Sequence, residues 1–79
     1  MSFGPWQPNI SETERRLRVR ELAVISALLL GHDHPLPATL WQAQTDPGGL
    51  ATAKLILDAL PPLPLRRLLG AYANVAVRP

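Results

Sequence analysis

Glu12 to Gly31, ETERRLRVRELAVISALLLG, is the stretch whose reading decides the fold. It runs without proline or glycine until its last residue. Its first half carries most of the chain's charge, and its second half is almost wholly aliphatic. Both ends carry helix punctuation. Ser11 precedes it and Glu14 follows three residues later, so Ser-x-x-Glu reads as a capping box that satisfies N–H groups lacking partners inside the helix. Ile10 stands where an apolar residue can staple onto the first turn. Glu12 and Glu14 lie where the helix dipole favours acids. Glu12–Arg16 and Glu14–Arg18 are i,i+4 pairs with the acid first, the better orientation. Gly31 ends the helix as a C′ glycine. Leu17, Val24 and Leu28 mark one stripe, with Leu22, Ile25 and Leu29 beside it. From Leu22 onward the helix is apolar nearly all round, which predicts burial on more than one side.

The rest of the chain is shorter, proline-punctuated and built from Leu and Ala. Residues 1–10, MSFGPWQPNI, hold two prolines that block regular helix, yet Phe3, Trp6 and Ile10 are large and apolar. They predict an extended N-terminal arm that lays Phe3 and Trp6 on a surface, either the protein's own helices or a partner. Residues 11–79 are expected to form a single helical domain. His32-Asp33-His34 and the prolines after it read as a loop. A short helix is expected over Ala38–Gln44, with Leu40 and Trp41 as anchors. Asp46, Pro47 and Gly48-Gly49 form a turn cluster, with Asp46 as a cap for the next helix. That helix is expected over Leu50–Leu60, with Leu50, Ala53, Ile56, Leu57 and Leu60 at helical spacing. It too looks apolar in three directions. Pro61-Pro62-Leu63-Pro64 reads as a stiff connector. A last helix follows from Leu65 to Asn74 or Val77, with Leu65, Leu68, Leu69 and Tyr72 inward; Val75–Val77 could instead be extended. The predicted fold is all-α, a small bundle of three to four helices with proline-rich connectors.

Composition narrows what such a bundle can do. Seventy-nine residues make one domain, and a chain this short buries only about 60% of its unfolded surface. It has no cysteine, so neither disulfides nor a thiolate zinc site can reinforce it. Good helix packing or oligomerisation are the remaining remedies. The apolar run Leu22–Leu30 falls well short of the ~20 residues a membrane span needs. Arg15-Arg16 before an apolar run resembles a targeting signal, but Glu12, Glu14 and Glu21 interrupt it and no small-residue cleavage site follows. The chain reads as cytoplasmic, and its Ala/Leu/Arg-rich style suggests a high-GC bacterial or phage source.

No catalytic constellation emerges. Ser2 lies in the leader, Ser11 caps a helix and Ser26 sits in the apolar stretch, and the glutamates share a helix with four arginines. Three consecutive residues cannot easily place His32, Asp33 and His34 around one metal, and no other histidine exists. These histidines are read as favouring the negative end of the preceding helix dipole. Gly48-Gly49 lacks the Lys-Ser/Thr of a phosphate loop. No enzyme activity, cofactor or metal is expected.

Binding functions remain. Arg15, Arg16, Arg18 and Arg20 are packed closely, and arginine suits both phosphate and carboxylate contacts. The chain is also expected to own more apolar surface than one small core can hide. The favoured expectation is a non-enzymatic protein–protein interaction module: an adaptor, chaperone or stoichiometric inhibitor and regulator of a larger protein. It would act as a homodimer through Leu22, Ile25, Leu29 and Leu30. Arg15, Arg16, Arg18, Arg20, Trp6, Phe3 and Trp41 would meet a protein partner with an acidic surface. The alternative is a small helical DNA-binding regulator that uses the Arg15–Arg20 patch, with nucleic acid as partner. The segregation of arginines and leucines along the helix, instead of across its faces, argues against a membrane-surface role.

Overall fold

The computed structural model describes residues 4–46 and 48–76, and Phe3, Pro47, Val77 and Arg78 lie outside them. Four helices follow a short 3-10 turn, Gly4–Trp6: α1 (Glu12–Leu30), α2 (Pro35–Ala43), α3 (Gly48–Asp58) and α4 (Pro62–Ala76). No strand occurs among the described residues. The all-α bundle read from the sequence is the observed fold.

The ends of α1 follow from local chemistry. The Ser11 hydroxyl accepts from the Glu14 N–H at 3.1 Å, and the Gly31 N–H donates to Ala27 O with Gly31 at φ 89°. Only half of the capping box is made. The Glu14 carboxylate turns instead to Arg18, 2.9 Å from its Nε. Glu12–Arg16 is not paired among the described residues.

The starts of α2 and α4 lie earlier than the sequence implied, and proline is the reason. Its missing N–H and fixed φ suit a first helical turn. Pro35 opens α2, and Pro62, Leu63 and Pro64 form the first turn of α4 instead of a connector. Asp46 Oδ1 accepts from the Gly48 N–H at 3.0 Å, so Asp46 caps α3 as expected. His34 is a different finding. Its Nδ1 accepts from the Leu36 N–H at 3.2 Å, making it the N-cap of α2 and not a complement to the α1 dipole. The paired glycines have a packing reason. A methyl on Gly49 would come within 3.0 Å of the Ala43 Cα, so α2 and α3 need a glycine to meet this closely.

Helix α1 is the axis of the molecule, packing against the 3-10 turn, α2 and α4, while α3 packs on α2. The N-terminal end of α4 lies by the C-terminal end of α1, where Leu29, Leu30, Leu63 and Pro64 share a depression. Tyr72 near the other end of α4 feels the charges of Arg18, Glu21 and Glu14. The two helices are therefore antiparallel. The core is Val19, Leu22, Ala23 and Ile25 from α1, Leu36, Leu40 and Ala43 from α2, Ala53 and Leu57 from α3, and Leu68 and Tyr72 from α4. Helix α3 is less enclosed than its composition implied, with Leu55 71% exposed.

The leader departs from an extended arm. Gly4–Trp6 forms a 3-10 turn with Pro5 buried. Gly4 sits at φ 48°, and a methyl there would lie 3.0 Å from the Tyr72 hydroxyl oxygen, so both its backbone and its space require glycine. Burial pushes the Tyr72 phenol above its ordinary pKa, an effect offset in part by Arg18. The neutral phenol therefore stabilises the fold at and below the ordinary value near 10. That contribution is lost as pH rises through the raised value. Tyr72 is the chain's one tyrosine. Its tyrosinate absorbance should thus appear at higher pH in the folded protein than in urea; coincident titrations would contradict this burial.

Candidate interaction surface

Helix α1 divides its side chains by angle. Residues at Val19, Leu22, Ala23 and Ser26 point into the core, and the Ser26 hydroxyl donates to Ala23 O at 2.9 Å within its own helix. The opposite side presents Leu17, Val24 and Leu28, which line a shallow groove with Arg20, Glu21 and the edge of Ile25. Leu28 is 79% exposed. The stripe spaced i, i+7, i+11 is thus an outer face, left without an apolar partner among the described residues.

This divides the expected dimer seam. Leu22 is 0% exposed and Ile25 is also buried. Both belong to the protein's own core, because α2 and α4 cover the side of α1 on which they stand. Leu30 is half-buried against that core. Of the four, Leu29 is open to solvent. The apolar residues that do face outward, Leu17, Val24 and Leu28, were visible as a stripe. On a helix apolar nearly all round, spacing alone could not say which stripe faces in.

The arginine cluster is also divided. Arg15 Nη1 donates to Pro5 O at 2.6 Å and to Gln7 O at 3.1 Å. Arg18 Nη1 donates to Gly4 O at 3.2 Å and to Gln7 Oε1 at 2.6 Å. These two guanidinium groups satisfy leader carbonyls that belong to no regular ladder, which is why the leader folds onto α1. Both guanidinium groups are thus engaged within the chain. Arg16 and Arg20 remain exposed, with no carboxylate in ion-pair range among the described residues.

Trp6 is half-buried against the core, and its indole Nε1–H donates to Leu50 O at 2.9 Å. It anchors the leader to α3 of its own chain. Phe3 lies outside the described residues. Trp41 is 44% exposed on α2, away from the buried Leu36, Leu40 and Ala43 of the same helix.

A second region of surface adjoins the far end of α1. Leu29, Leu30, Leu63, Pro64 and Arg67 line one depression, and Pro62, Leu65, Arg66, Leu69 and Gly70 line a groove along α4. Neither is visible in the sequence while residues 61–64 read as a connector. A cleft of about 350 Å³ lies between α1, α2 and α3, lined by Glu12, Arg15, Arg16, Val19, Ala43, Gln44, Thr45 and Leu50. The Thr45 hydroxyl on its rim donates to Gln42 O at 3.4 Å. Among the described residues no group of three potential ligands converges on a metal position, and no helix is long and apolar enough to cross a membrane. No known protein family, curated protein or solved structure matches the chain.

Proposed function

We propose that the protein is a non-enzymatic, cytoplasmic protein–protein interaction module that self-associates through the outer face of α1. One observation supports this reading: Leu17, Val24 and Leu28 form an apolar stripe on the central helix that no other described residue covers. Contiguous apolar surface of this kind marks interfaces. The stripe suits a second copy. Leu17 and Leu28 stand at its two ends, about 16 Å apart along the axis. An antiparallel two-fold arrangement therefore sets each leucine against the other type-identical leucine of the second chain, as an isologous interface requires. Pairing also supplies apolar burial that a chain of this length lacks alone.

The DNA-binding alternative has less support. Arg15 and Arg18 hold the leader. The surface of α3 offers Lys54, and its ammonium is 2.9 Å from Asp58. A reading helix needs free polar and basic side chains toward the base edges.

Light scattering at micromolar concentration should report a dimer. Leu28→Asp should yield a folded monomer, because a side chain this exposed contributes little to the fold of one chain. A wild-type monomer, or a Leu28→Asp dimer, would refute the α1 interface.

A further inference from the structure

We infer that the groove along α4 lined by Pro62, Leu65, Arg66, Leu69 and Gly70 docks an acidic amphipathic helix of a partner protein. This goes beyond self-association and uses a different face. Three features of the groove bear on its occupant.

The groove is apolar along its floor, with Leu65 and Leu69 half-buried beneath it and Pro62 at its end. Its charge has one sign. Arg66 lines it, Arg67 stands exposed beside it, and α4 contains no acidic residue from end to end. Neither arginine has an ion-pair partner among the described residues. An occupant that carries carboxylates beside its apolar side chains would complete both, whereas a second copy of this chain, itself net +2, would bring mostly like charge.

Gly70 supplies the third feature. It stands inside α4, where glycine is a poor helix former. A methyl group there would meet nothing within 4 Å. No neighbour among the described residues requires the glycine, unlike Gly4 and Gly49. The missing side chain lowers the groove wall and lets another backbone come close to α4. A helix is the element that fits, since its apolar ridge can enter a groove bounded by residues spaced three and four apart.

The test uses two synthetic amphipathic helices of about 18 residues, long enough to hold helical structure. They share one leucine face and differ in carrying glutamate or lysine elsewhere. Binding is followed by fluorescence anisotropy on the full chain and on Leu28→Asp. The glutamate peptide should bind about tenfold tighter than the lysine peptide, equally to both proteins. Arg66→Glu combined with Arg67→Glu should reverse the preference. Gly70→Leu should abolish binding while circular dichroism shows the helix retained. Gly70→Ala should raise Tm by about 4 °C and weaken binding. Equal affinity for the two peptides would overturn the assignment, as would a Gly70→Leu variant that binds normally. A Gly70→Leu variant with a changed oligomeric state would give the groove to a second copy and overturn it too. Loss of the dimer in Leu28→Asp with peptide preference intact would separate this site from the α1 interface.

Discussion

Leu22→Ala is expected to lower the unfolding free energy by about 3 kcal/mol. Leu22 is 0% exposed and lies where the core residues of α2 and α4 converge on α1. Removing its branched end deletes apolar contacts and leaves a void that rigid neighbouring helices cannot collapse around. A domain of this size has only some 5 kcal/mol to lose, so the change should be visible as a large fall in Tm and in the urea midpoint. Leu28→Ala is the internal control. It makes the same chemical change on the same helix, at a position 79% exposed. Measured at concentrations where the chain is monomeric, it should move stability by less than about 0.5 kcal/mol. Equal effects at the two positions would contradict the division of α1 into an inner and an outer face.

Trp6→Ala is expected to cost about 2–3 kcal/mol, less than a fully buried tryptophan because its ring is half-buried. It removes the packing of the indole and its hydrogen bond to Leu50 O. Trp41→Ala should cost under about 1 kcal/mol, since Trp41 is 44% exposed. Thermal denaturation of the two variants side by side checks the assignment. A larger loss at Trp41 would contradict the docking of the leader onto α3. Trp6 packs on its own chain, although tryptophan in an arm also suits a partner-binding anchor.

Much of the fold was legible because its signals are local. Ser11, Gly31 and Asp46 punctuate helices through bonds to atoms a few residues away, and each acts as its spacing implied. The prolines were harder. Pro62 and Pro64 read equally well as a stiff linker or as a helix start, and only the packing of α4 on α1 decides between them. The candidate surface was legible as a quantity of apolar side chains and not as a location. Leu17 and Leu22 are the same residue on the same helix, and their fates differ through the placement of α2 and α4, which no local pattern encodes. The arginines show the same limit. Nothing near Arg15 or Arg18 in the sequence announces that the carbonyls of Gly4, Pro5 and Gln7 will fold back to them.

That folded-back leader has a consequence for motion. Helix α3 packs chiefly on α2, so it is the element best placed to open locally ahead of the rest of the bundle. The leader crosses from Arg15 and Arg18 on α1 to Leu50 on α3, with Trp6 at its far end. It works as a strap across a hinge: α3 cannot swing away without first releasing an indole supplied by residues 44 positions earlier in the chain. Amide exchange within α3 is thereby governed in part by the opposite end of the polypeptide.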